Sequence, residues 1–250
     1  MAANEQNVPA AARISSRRPL IPTSNSRQDI GFIQELNLEN PSQEQLQNLF
    51  PGYTTFAGAP RGDQTCYDTA VLVSTDYGPA KLETKASCSR ATFVTISDKG
   101  LLLVSIHGPL KKMQAFHQDI IATVARYQQA GWSPIIGGTF NLAPTPADRR
   151  GRPKRHEEGL MDLYTDTLKL CNACEALTEL ANPSPTTDRS QYYTHKRRGN
   201  TGHVYISRVD HILLPQRLLD AERAKYGHSD VGNFSDHKRI TLFAPQTPQK

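Results

Sequence analysis

Three short stretches place chemically capable side chains where an apolar run stops or starts. In IIGGTFNLAP a strand-like run opens into Gly137 and Gly138, followed by Thr139, Phe140 and Asn141. Glycine lets the backbone turn sharply, so the polar side chains beyond it project from the strand end. In SRVDHILL, Ser207, Arg208 and Asp210 lead into a strand, and in FSDHKRITLF, Ser235, Asp236 and His237 immediately precede one. A fourth run, FIQEL, carries Glu35 at its end. Carboxylates such as Glu35 and Asp236 are hard oxygen donors that suit Mg²⁺, which keeps several waters and leans on few protein ligands. Add an imidazole and a carboxamide, and the set matches what hydrolysis of a phosphodiester needs. That chemistry calls for a cation on the phosphate oxygens, an activated water and a partner for developing charge. Taken singly, each residue has a plainer reading. Glu35 could be a surface carboxylate, His237 a solvated ring, Asp210 an ion-pair partner of Arg208, and Asn141 a turn cap.

The elements that must hold these residues alternate between strand and helix. DIGFIQEL reads as a buried strand and Ser42 to Phe50 as a polar helix, followed by the turn-rich PGYTTFAGAPRGDQ. TAVLVST, ATFVTIS and LLLVSIH are β-branched or Leu-rich runs at short spacing, expected as neighbouring strands of one sheet. Met113, Phe116, Ile120, Ile121, Val124 and Tyr127 fall at helical spacing within Lys111 to Ala130, and Gly131 supplies a stop. SPIIGG reads as a strand, Glu157 to about Ala181 as a helical stretch, and HVYISRVDHILLP and KRITLFAP as closing strands. A layered α/β sandwich is the natural solution for that order.

The 250 residues suffice for one large α/β domain, expected over residues 28 to 244, with a flexible basic tail at 1–27 and a short tail at 245–250. A mean hydropathy of -0.54 and 37% hydrophobic residues describe a polar, soluble protein. No apolar stretch approaches the roughly 20 residues that cross a bilayer. The opening MAANEQNVPA has no apolar h-region, so the expected location is nuclear or cytoplasmic, not secreted. AARISSRRPLIPTSNSR shares its Arg- and Ser-rich composition with organelle transit peptides and with disordered tails. A net charge of +5 and a pI near 9.0 fit an anionic partner, nucleic acid above all, expected to be DNA. The basic runs DRRGRPKRH and Lys196–Arg198 flank the site stretches, where phosphate contacts or nuclear-localisation patches would both be in place. Cys171 and Cys174 form a single CNAC without two further zinc ligands in view, so the cysteines read as reduced, mainly structural thiols.

In order and spacing the three stretches resemble the GDFN, SR(I/L/V)D and SDH motifs of the endonuclease/exonuclease/phosphatase superfamily. The resemblance extends back to FIQEL, like the family's QE motif, and to IHGP, like its Y-x-P. It is closest to the AP-endonuclease-like endonuclease domains of non-LTR retrotransposons, where a Thr and a basic, variable loop precede SRVD, as in YYTHKRRGNTGHVYISRVD. What it implies is a four-layer α-β-β-α sandwich of two packed mixed sheets and DNA cleavage assisted by Mg²⁺, with Mn²⁺ as a substitute. By the same resemblance Glu35 is the principal metal ligand with Asp236 beside it, and His237 contacts the scissile phosphate with its imidazole oriented by Asp210. Asn141 hydrogen-bonds the phosphate or the attacking water. Thr194, Lys196, Arg197 and Arg208 are the substrate-groove candidates, with Arg208 bracing the site more than reacting.

The chain departs from that pattern in three places. Thr139 stands where the family has the GDFN aspartate, His107 where it has the Y-x-P tyrosine, and nothing between Met1 and Arg27 matches the early Asn motif. A threonine hydroxyl is no base at neutral pH. A general base contributes 10²–10⁴ in rate, about 3 to 5 kcal/mol of barrier. Its loss predicts a slow enzyme or none, unless His107 takes its place. The rival expectations are an inactive relative that still binds nucleic acid, and a phosphatase acting on a phosphorylated lipid or small molecule.

Overall fold

A computed structural model describes residues 29–36, 38–39, 41–60, 66–150, 159–178, 180, 189–198, 204–219, 224–229, 237 and 239–243. Its first four elements are β1 (Ile30–Ile33), α1 (Gln43–Leu49), β2 (Tyr53–Ala57) and β3 (Ala70–Ser74). Next come β4 (Lys81–Leu82), β5 (Ala91–Ile96), β6 (Leu101–His107), α2 (Met113–Gln129) and β7 (Ser133–Thr139). They are followed by α3 (Leu160–Leu168), β8 (Leu170–Asn172), α4 (Ala173–Leu177), β9 (His195–Arg198) and β10 (Val204–Ser207). The last are β11 (Asp210–Pro215), β12 (Lys225–Ser229) and β13 (Arg239–Phe243).

Local chemistry accounts for several of these boundaries. Ser42 opens α1 through a capping box: its hydroxyl accepts from Gln45 N at 3.1 Å, and the Gln45 side chain accepts from Ser42 N at 2.8 Å. α2 buries Met113, His117, Ile120, Ile121 and Val124 along one face, as an amphipathic helix must. The helical stretch expected from Glu157 to about Ala181 does not form as one piece. Lys169 takes a left-handed φ of 54° after α3, and Leu170–Asn172 pair with β11 instead. A sheet edge that satisfies backbone groups outweighs helix propensity there. The Asn172 side chain then caps α4 by accepting from Cys174 N at 3.1 Å.

The strands form a six-stranded sheet in the order β4-β5-β6-β7-β11-β8 and a three-stranded sheet β1-β3-β2. Only β6 and β7 run parallel in the larger sheet, with α2 as the crossover between them; the other pairs are antiparallel. Val71 and Val73 of β3 meet Val94, Ile96, Leu101 and Leu103 between the two sheets. On the far side of the large sheet, Phe93, Leu102, Val104 and Ile106 pack with α2 and α3. On the far side of the small one, Leu46 and Phe50 at α1 cover Ala57, Ala70 and Leu72. The result is helix, sheet, sheet, helix: the four-layer sandwich. The β12–β13 hairpin and α4 lie against Ile212 and Leu214 of β11.

Three further expectations change. β3 joins the other sheet rather than neighbouring β5 and β6, because its two buried faces suit a strand held between layers. β2 forms inside the stretch expected to be turn. HVYISRVDHILLP breaks at Arg208–Val209 into β10, which pairs with β9, and β11, which enters the large sheet. Gly137 is required where β1 crosses β7, since a Cβ there would lie 2.4 Å from the Phe32 ring. Among the described residues no helix is long and apolar enough to cross a membrane. The proposed tails and residues 151–158 of the basic loop lie outside the described residues.

Candidate active site

The site begins with strand register. His107 on β6 is the register partner of Thr139 on β7, and Thr139 is the partner of Asp210 on β11. Register partners project from the same face, so these three side chains form a row across adjacent strands. The Thr139 hydroxyl donates to Asp210 Oδ1 at 2.5 Å. His237 Nδ1 lies 2.9 Å from Asp210 Oδ2 and 3.1 Å from Oδ1. Thr194 Oγ1 accepts from the backbone N–H of Val209 at 3.2 Å and of Asp210 at 3.1 Å, which fixes the start of β11. Burial alone would push the Asp210 carboxyl up. The hydrogen bond and charge of His237, with the Thr139 and Thr194 hydroxyls, hold it below the usual carboxylate range. The His195 ring packs on His237 with centroids 4.6 Å apart, and the two residues form an isolated backbone bridge.

The opposite end of the row has a second imidazole–carboxylate pair. His107 Nδ1 lies 2.8 Å from Asp68 Oδ2. Arg90 Nη1 stands 3.7 Å from the same oxygen and donates to His107 O at 3.3 Å. Asp68 is buried just before β3, and its carbonyl accepts from Leu36 N at 3.0 Å. That bond ties the residue after Glu35 to the dyad. Glu35 itself is exposed and holds a left-handed φ of 58°, a conformation that costs a non-glycine residue on the order of 1–2 kcal/mol.

Between the pairs, the chain leaves β7 through Gly138, whose φ is 140° and whose added Cβ would lie 2.1 Å from Ile106 O. Asn141 follows at φ 57°, and its Nδ2 donates to Gly108 O at 2.6 Å. Because a carbonyl can only accept, the Asn141 carboxamide oxygen faces the other way.

Sequence reasoning placed His107, Thr139, Asn141, Asp210 and His237 in one site, and the fold brings them together. Two groove candidates lie elsewhere. Arg208 has no exposed surface: Nε donates to Asp148 Oδ1 at 3.0 Å and Nη2 to Glu175 Oε1 at 2.6 Å. It locks the 145–150 segment and α4 to the entry of β11 and cannot reach a substrate. Thr194 is 1% exposed and supports Asp210 rather than lining a groove. Lys196 is exposed on β9, the side chain of Arg197 is not described, and Asp236 lies outside the described residues. Among the described residues no three His, Cys, Asp or Glu side chains converge as metal ligands. Glu35 is thus the one proposed ligand whose position is known. A cation that keeps most of its water is compatible with so sparse a set.

Asp68, Arg90 and His195 went unnoticed in the sequence. His195 adjoins Thr194 in the basic stretch and could have been found there. Asp68 lies 39 residues from its histidine, and only the fold pairs them.

No family model and no curated protein matches the sequence. Solved structures do match. The endonuclease domain of TRAS1, a telomere-specific non-LTR retrotransposon, aligns with a TM-score of 0.61 at 19% identity over 88% of this chain and 87% of that one. The 3'-5' exonuclease NExo from Neisseria meningitidis gives 0.63 at 18% over 89% and 91%. An AP endonuclease from Archaeoglobus fulgidus gives 0.59 at 17% over 86% and 88%. The chain shares the four-layer fold of these nuclease structures, the fold expected from the resemblance to the endonuclease/exonuclease/phosphatase superfamily. At such identities the likeness concerns architecture. Within this fold, the strand ends carrying IHGP, GGTFN and SRVD share one edge of the large sheet, with His237 joining them.

Proposed function

We propose that the protein hydrolyses phosphodiester bonds in nucleic acid, DNA in particular, as a retrotransposon-type endonuclease. The observation that carries this reading is the row itself, in which two imidazoles, each held at Nδ1 by a carboxylate, bracket Thr139. A carboxylate on Nδ1 fixes the ring and offsets its charge when it gains a second proton. Nε2 is then the atom turned to chemistry. In this reading water attacks phosphorus, His107 Nε2 takes its proton, and His237 Nε2–H gives one to the departing oxygen. Asn141 directs its carboxamide oxygen at the attacking water. Glu35, with Asp236, would hold Mg²⁺ or Mn²⁺, which when bound polarises the phosphate oxygens. Exposed Lys196 on β9 offers a backbone contact to the strand being cut.

Thr139 supports a second reading, in which the chain binds nucleic acid without turning it over. Its hydroxyl proton is directed at Asp210, so it is no substitute base. Plasmid nicking with and without Mg²⁺, by wild type, His107→Ala, His237→Ala and Thr139→Asp, separates the two. Wild-type nicking lost in both histidine variants supports the enzyme, whereas binding without nicking in every variant refutes it. Nicking by Thr139→Asp alone would show a scaffold whose base has been lost.

A further inference from the structure

Asn141 is presented by backbone strain, and two buried histidines outside the site hold the carbonyls on either side of it. His117 of α2 has Nε2 3.1 Å from Phe140 O, and His211 of β11 has Nε2 2.9 Å from Leu142 O. A carbonyl oxygen only accepts, so each Nε2 carries the proton. The other ring nitrogens face donors. Tyr164 Oη donates to His117 Nδ1 at 2.7 Å, and Asn172 Nδ2 donates to His211 Nδ1 at 3.0 Å. Asn172 cannot turn its amide around, because its Oδ1 accepts from Cys174 N. The Asn172 amide thus fixes His211 as the neutral Nε2–H tautomer, and burial selects the same neutral form at His117, whose phenol partner could either donate or accept. The Phe140 ring lies between them, with centroids 6.2 Å from His117 and 5.4 Å from His211.

We propose that His117 and His211 are positioning residues that hold the Phe140 and Leu142 carbonyls as a clamp and so keep Asn141 in its left-handed conformation, aimed into the row. This rests on the role given to Asn141 under the proposed function. Burial supports it by pushing His117 down to about 4. Burial, and then the charge of Arg208, do the same for His211, against the opposing pull of the Leu142 carbonyl, Asp210 and Asp148. A neutral ring is what a clamp needs, since an imidazolium would turn a second N–H toward the Asn172 amide hydrogens.

The full chain tests this with His→Phe and His→Gln changes at both positions. Glutamine places an amide N–H at about the reach of imidazole Nε2, and phenylalanine does not. The Phe variants should lower kcat for nicking about tenfold to a hundredfold with KM little changed, as a displaced group does. The Gln variants should recover most of that rate. In an Asn141→Ala background the Phe changes should cost almost nothing more, because the clamp acts through Asn141. A full additional loss in that background, or Gln variants as impaired as Phe, overturns the proposal. A readout independent of cleavage is the nitrogen and amide spectrum at pH 7. Nε2–H tautomers at both rings are expected, with Asn141 signals that shift in the Phe variants and return in the Gln variants. Unmoved Asn141 signals defeat the clamp, as do Nδ1–H tautomers in wild type, even where no variant folds. A wild type that never nicks DNA defeats the nuclease reading alone, and the spectra then decide the clamp by themselves.

Discussion

His107 and His237 at the sheet edge contrast with His117 and His211 behind it. All four use Nδ1 to fix the ring, but the partners differ. At the edge the partners are the carboxylates of Asp68 and Asp210, and the rings are partly exposed. Behind it they are the Tyr164 phenol and the Asn172 amide, and the rings are buried. A carboxylate makes the doubly protonated ring tolerable; a dry interior with no carboxylate on Nδ1 disfavours it. In the proposed roles one residue type serves proton transfer at the edge and backbone geometry behind it, and the atom behind the ring decides which.

The contrast can be broken in four places. Largest is His237→Ala, which should reduce nicking 10²–10⁴-fold and also lower the urea midpoint, because the buried Asp210 carboxyl loses the partner that offsets its burial. Next is acid sensitivity of the buried pair. Their native values near 4 lie below the ordinary 6.5, so between those limits the unfolded chain binds more protons. Stability is complete above about pH 6.5 and falls as the pH drops toward 4, by on the order of 3 kcal/mol per histidine. Urea unfolding at pH 7, 5.5 and 4.5 should show falling midpoints, flattened in the His211→Gln protein; parallel curves for the two would contradict it. Smaller is Asp68→Asn, which should cost about tenfold in kcat through a loosened His107, with Asp68→Glu recovering part of it. Smallest is Lys196→Gln, which should lower the slope of log binding constant against log salt by about 1, without sequence dependence.

Sequence carried more of the edge than of its support. Runs such as LLLVSIH and SPIIGG announce strands, and the motif letters sit at their ends, so His107, Thr139, Asn141, Asp210 and His237 were within reach. Asp68 was not, because its meaning depends on β3 lying across from β6 in a different sheet. The same long-range pairing hid β8, where a free edge of β11 overrode a helical pattern. Arg208, read both as a brace and as a groove candidate, is buried as a brace. A charged residue beside a site motif reads as a groove residue, yet Asp148 and Glu175 together make its burial tolerable.

Glu35 carries a consequence for engineering. Its left-handed backbone is a conformation that glycine adopts at no steric cost. Glu35→Gly should therefore raise the melting temperature even as it removes the one described carboxylate proposed to hold the cation. On the proposed metal role, a screen of this chain for thermostability alone would favour that change and select a protein poorer at holding its cation, a conflict between durability and activity written into a single torsion angle.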